Sequence, residues 1–71
     1  IRVLITSAGR RVRLVENFKK HAITFTCDIN PGFSAACQVS DKYFKVPRVD
    51  SGEYIKILKE ICKKEKINII V

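Results

Sequence analysis

Apolar positions along the chain switch repeatedly between strand-like and helix-like spacing. Arg2-Val3-Leu4-Ile5-Thr6 is a short β-branched run without alternation, the pattern of a strand covered on both faces in a parallel sheet. After Ser7-Ala8-Gly9 the spacing changes: Val12, Val15 and Phe18 recur at helical intervals among charged residues, with Leu14 at the flank, which predicts a helix ending near His21. Ile23, Phe25 and Cys27 alternate with Thr24 and Thr26, so residues Ile23 to Asp28 form a second strand that ends in an acid. Asn30-Pro31-Gly32 breaks the chain, Asn30 being a cap for the next helical turn, and the Ala-rich stretch from Phe33 to Gln38 has room for a short helical turn only. Tyr43-Phe44-Lys45-Val46 is a third, brief strand closed by Pro47, as expected of a sheet edge.

Asp50 and Glu53 have the spacing of a capping box, and Tyr54, Ile57, Leu58, Ile61, Cys62 and Glu65 follow one helical stripe. Lys56 with Glu60 and Glu60 with Lys64 are expected to pair on the outer face. Ile67 to Val71 then reads as a fourth strand. Strand and helix alternate throughout, which calls for right-handed crossovers and a parallel sheet. The fold class is therefore α/β: a three-layer, Rossmann-like module with a four-stranded parallel sheet in the order 3-2-1-4, incomplete at its C-terminal end. Residues 1 to 71 form a single domain, read as a fragment of a longer chain, with apolar sheet surface left bare beside the last strand.

Composition narrows the classes. Apolar residues are 46% and charged residues 30%, which suits a soluble globular domain. No apolar run approaches the roughly 20 residues that cross a bilayer and no leader precedes the first strand, so the expectation is a cytoplasmic protein with no membrane partner. The net charge of +7 draws the chain toward polyanions, but Phe18, Phe25 and Phe44 all sit at core-type positions, so exposed aromatics interleaved with the cations are lacking. That pattern argues against nucleic acid as a partner. Cys27, Cys37 and Cys62 are odd in number and lack C-x-x-C spacing, so buried free thiols are expected.

Ligands of open parallel α/β sheets sit beyond the C-terminal ends of the strands, near the switch in strand order. Three segments arrive there: the loop after the first strand, the end of the second at Asp28-Ile29-Asn30-Pro31, and the fourth strand, which stops at Val71. Thr6-Ser7-Ala8-Gly9-Arg10-Arg11 leads into a helix N-terminus, where free amides favour an anion and Arg10 and Arg11 would strengthen the site. Asp28 follows Gly9 by about twenty residues, where a dinucleotide fold places its ribose-binding acid. With a single glycine, the loop is neither G-x-G-x-x-G nor a Walker loop. No nucleophile–base pair, carboxylate pair or metal-ligand cluster is visible, so no residue is a catalytic candidate.

Four segments in this order, Val3 to Arg11, Asp28-Ile29-Asn30-Pro31, Asp41 to Pro47 and the helix–strand unit from Ile55 to Ile70, resemble the N-terminal domain of ATP-grasp enzymes, with proteins of the carbamoyl-phosphate-synthase large-subunit type the nearest resemblance. The resemblance implies a pre-ATP-grasp domain on the substrate side of an ATP-dependent carboxylate–amine or ammonia ligase, in which a carboxylate is activated as an acyl phosphate and captured by an amine. It implies that ATP and magnesium are bound by later domains of the same chain, outside these residues, and that this segment alone is inactive. It assigns Ser7, Gly9, Arg10, Arg11 and Asp28 to the wall of the site for a small-molecule carboxylate substrate. The implied partners are that substrate and the remaining ATP-grasp domains, and a homo-oligomer is left open. Two further readings stand beside it: a nucleotide-binding Rossmann module of an oxidoreductase, and a basic nucleic-acid-binding module.

Overall fold

The structure, a computed structural model, describes residues 1–71. In chain order it comprises β1 (Arg2–Ile5), α1 (Val12–Lys19), β2 (Ile23–Asp28), a 3-10 turn (Pro31–Phe33), α2 (Ala35–Val39), β3 (Lys42–Lys45), α3 (Tyr54–Lys64) and β4 (Ile69–Ile70). The strands form one parallel sheet in the order β3-β2-β1-β4, with Leu4 of β1 in register with Phe25 of β2 and Ile70 of β4. This is the expected α/β architecture and strand order.

Side chains alternate across a strand, so β1 feeds two cores. Val3 and Ile5 pack with Ala8, Val15, Ala36 and Cys37 under α1 and α2. Leu4 faces the other way, with Phe25, Cys27, Val46, Tyr54 and Ile61 under α3. β2 lies between the same two layers. Phe25 and Cys27 join the α3 core, while Thr24 and Thr26, both fully buried, point to the opposite face. Their hydroxyls are satisfied there: Thr24 donates to Asp41 from its amide (2.8 Å) and its Oγ1 (3.0 Å), and Thr26 Oγ1 lies 2.8 Å from Ser40 Oγ. Burial of a hydroxyl is tolerable only with such partners.

Three local expectations are corrected. The Asp50–Glu53 capping box does not form: Asp50 pairs with Arg48 at 3.3 Å, and the Glu53 amide donates to Ser51 Oγ at 3.1 Å. Ser51, one residue nearer the helix, has the shorter reach to that amide. Asn30 makes no side-chain cap; α2 is capped by Ser34, whose Oγ accepts from the Cys37 amide. The outer-face pairs of Glu60 do not close, and the acid that pairs is Glu65, on the inner stripe. Its side chain, only 11% exposed, meets Lys42 at 3.0 Å and Arg2 at 3.5 Å, while Arg2 and Lys42 also lie over the Phe25 and Phe44 rings. Glu65 thus ties the end of α3 to the starts of β1 and β3.

The fourth strand is shorter than the apolar run from Ile67 to Val71 suggested. Only Ile69 and Ile70 have strand geometry, although bonds from the Asn68 amide to Arg2 O and from the Val71 amide to Leu4 O extend the pairing at both ends. Ile69, Ile70 and Val71 are all exposed, leaving the sheet surface beside β4 bare, as expected. An open groove of about 540 Å³ runs there between Ile70 and the α3 residues Ile55, Leu58 and Cys62.

Candidate functional site at the C-terminal ends of β1 and β2

The loop from Thr6 to Arg11 must leave the sheet centre and enter α1 within six residues. It does so through two left-handed residues, Ser7 (φ 48°) and Gly9 (φ 50°), with Ala8 fully buried between them. A Cβ on Gly9 would meet nothing nearer than Ser7 O at 3.9 Å, so glycine is favoured here by the backbone angle rather than by space. Ser7 adopts the same region despite its side chain, a local strain of the kind found where loops serve ligands.

Asp28 holds this loop. Its Oδ2 accepts from the Gly9 amide at 2.9 Å and its Oδ1 from the Asn30 amide at 3.1 Å, so one carboxylate fixes the loops that follow β1 and β2. Each oxygen keeps lone pairs for a further donor, yet the carboxylate's first task is internal. That arrangement differs from the free ribose-binding acid a dinucleotide fold requires.

The two arginines separate. Arg11 Nη2 donates to Thr6 O at 2.9 Å, fastening its guanidinium to the end of β1. Arg10 is exposed and takes part in no ion pair or side-chain hydrogen bond, and its backbone amide is also without a partner inside the chain. Of the residues singled out by sequence, Ser7, Gly9 and Asp28 form one compact cluster with Arg11 braced behind it, and Arg10 is the cation left facing outward.

Ser34 belongs to the site and was missed. Its Oγ donates to Gly9 O at 2.7 Å, and the Ala36 amide reaches the same oxygen at 3.1 Å. The cap itself was legible, since Ser before an Ala-rich turn is an N-cap signal. Contact with a glycine far away in sequence was not.

Beneath the loop, burial pushes the Cys27 thiol up to about 11, and a hydrogen bond from the Ser7 amide only partly offsets that. It is therefore a protonated packing group at neutral pH. All three cysteines are free of disulfides. No three His, Cys, Asp or Glu side chains come together to hold a metal ion. A shallow recess of about 480 Å³ opens nearby, lined by Ile29, Arg48, Val49 and Asp50.

Residues 3–71 match the family model described as the PylC-like, N-terminal domain. The chain belongs to this family. PylC is an ATP-grasp ligase, so the chain is an N-terminal domain of the ATP-grasp type, the coarser part of what its four segments suggested. A search of curated proteins gave no match. No helix of the chain is long and apolar enough to cross a membrane.

Proposed function

We propose that this domain forms the substrate-side wall of an ATP-dependent carboxylate–amine ligase, of the kind represented by the carbamoyl-phosphate-synthase large subunit, and that its loop between β1 and α1 receives a small-molecule carboxylate. The observation that carries the reading is the pairing of a rigid loop with one uncommitted cation. Asp28, Ser34 and Arg11 hold the backbone of the loop, while the Arg10 guanidinium and amide stay available for an anion. A planar guanidinium matches a carboxylate through two parallel N–H donors. Rigid placement lets such a pair orient a substrate rather than merely attract it. ATP and magnesium belong, on this reading, to other domains, since this chain offers one glycine-poor loop for phosphates and no cluster of metal ligands.

The test is a titration of the chain followed by amide NMR, with succinate as the carboxylate probe and ATP with magnesium as the comparison. Succinate is expected to move the Gly9 and Arg10 resonances saturably, and Arg10→Ala to abolish the response. Micromolar binding of ATP and magnesium would sink the assignment and favour a self-contained nucleotide module.

A further inference from the structure

The Gly9–Arg10 peptide is gripped from both sides by groups far off in sequence. Its flanking amide, Gly9 N–H, is held by Asp28, and its carbonyl accepts two bonds from the start of α2, from Ser34 Oγ at 2.7 Å and from the Ala36 amide at 3.1 Å. A trans peptide points its C=O and the following N–H in opposite directions. Because Gly9 C=O is fixed toward α2, the Arg10 N–H is turned away from α2. It is one of the few amides of this region with no partner inside the chain. The point at which the Arg10 side chain leaves the backbone is set by the same plane.

Ser34 does this with its one hydroxyl proton, and with a lone pair it simultaneously accepts from the Cys37 amide at 3.1 Å. The residue is buried, so water cannot substitute for either partner. We infer that Ser34 is a positioning residue for the carboxylate-side loop, acting through the Gly9 carbonyl to aim Arg10. The inference rests on the reading of that loop as the substrate wall, and it adds a residue from a different element to the site.

Capping and aiming are separable because they use opposite ends of the hydroxyl. Thr at position 34 keeps both donor and acceptor. Asp keeps an acceptor for the Cys37 amide but, ionised, has no proton for Gly9 O. Ala removes both. The chain and its Ser34→Thr, Ser34→Asp and Ser34→Ala variants are compared by amide NMR, reading the Gly9 scalar couplings, which report its left-handed φ, and the Arg10 response to succinate. In wild type and Ser34→Thr, Gly9 is expected to keep its couplings and succinate to bind with one affinity. In Ser34→Asp, and in Ser34→Ala should the buried charge unfold the former, Gly9 couplings are expected to average and succinate to bind about fivefold or more weakly, the effect of one lost hydrogen bond. The β1 and β2 amides are expected to stay in place. Unchanged Gly9 couplings and unchanged succinate affinity in Ser34→Ala would overturn the positioning role while leaving the substrate wall intact. Absence of any saturable response in wild type would overturn the substrate wall itself, and with it the role of Ser34.

Discussion

The Gly9 amide and Asp28 Oδ2 lie 2.9 Å apart across the mouth of the sheet, and the same carboxylate accepts from the Asn30 amide. Replacing Asp28 with Ala leaves the Gly9 amide unpaired in a partly buried setting and returns the exposed Asn30 amide to water. The expected loss is about 1–3 kcal/mol in denaturant melts, with Asp28→Asn intermediate because one acceptor oxygen survives. A loss below about 0.5 kcal/mol in Asp28→Ala would show that the carboxylate is not what holds the two loops.

At the opposite end of the sheet, Glu65→Gln removes the charge that Arg2 and Lys42 share. Since the acid is largely shielded while its partners are partly exposed, the expected cost is about 1–2 kcal/mol, less than for a fully buried pair and more than for a surface one. The cost is expected to shrink at high salt, which thermal melts across ionic strength will show.

Lys66 follows the C-terminus of α3 with φ at 54°, and the next amide, of Ile67, bonds back to Cys62 O. This is the helix-stop geometry that glycine adopts without strain. Lys66→Gly is therefore expected to stabilise the chain by about 0.5–1 kcal/mol, raising the denaturant midpoint without changing the slope.

Acid sensitivity is expected to depend on Asp41. Its carboxyl is held below the ordinary 3.8 first by the Thr24 amide, with desolvation opposing and the Thr24 hydroxyl and Lys19 assisting. A folded pKa below the unfolded one means the stabilisation is complete above 3.8 and disappears as pH falls through the folded value. Stability measured from neutral pH downward is expected to fall more steeply below 3.8 in wild type than in Asp41→Asn, whose side chain does not titrate; parallel curves would exclude this account.

The elements were legible where burial writes itself into spacing. Val3-Leu4-Ile5 betrays a strand covered on two faces, and the stripe from Tyr54 to Ile61 betrays α3. The alternation of Thr with Phe and Cys in β2 identified the strand, but not that its threonines are buried, because Asp41 and Ser40, which make that burial tolerable, come from beyond α2. The same limit hid the division of labour in the site. Arg10 and Arg11 are equivalent as neighbours in sequence; only the position of Thr6 O makes one a brace and the other a free cation. Ser34, Ser51 and Glu65 took over roles given to Asn30, Asp50 and Glu60, since several polar residues within reach of one amide or one cation are separated only by three-dimensional distance.

The last residue of the chain bears on the mobility of the loop. Val71 O accepts both the amide and the Oγ1 proton of Thr6, and Thr6 O in turn receives Arg11. β4 and the loop between β1 and α1 are therefore joined at Thr6. Opening of the β1–β4 pairing would cost Thr6 these two bonds and take the footing from the brace on Arg11. A body packed over Ile69 and Ile70 would oppose that opening and stiffen the loop without touching it, so hydrogen exchange at Thr6 would report how firmly the bare face of the sheet is covered.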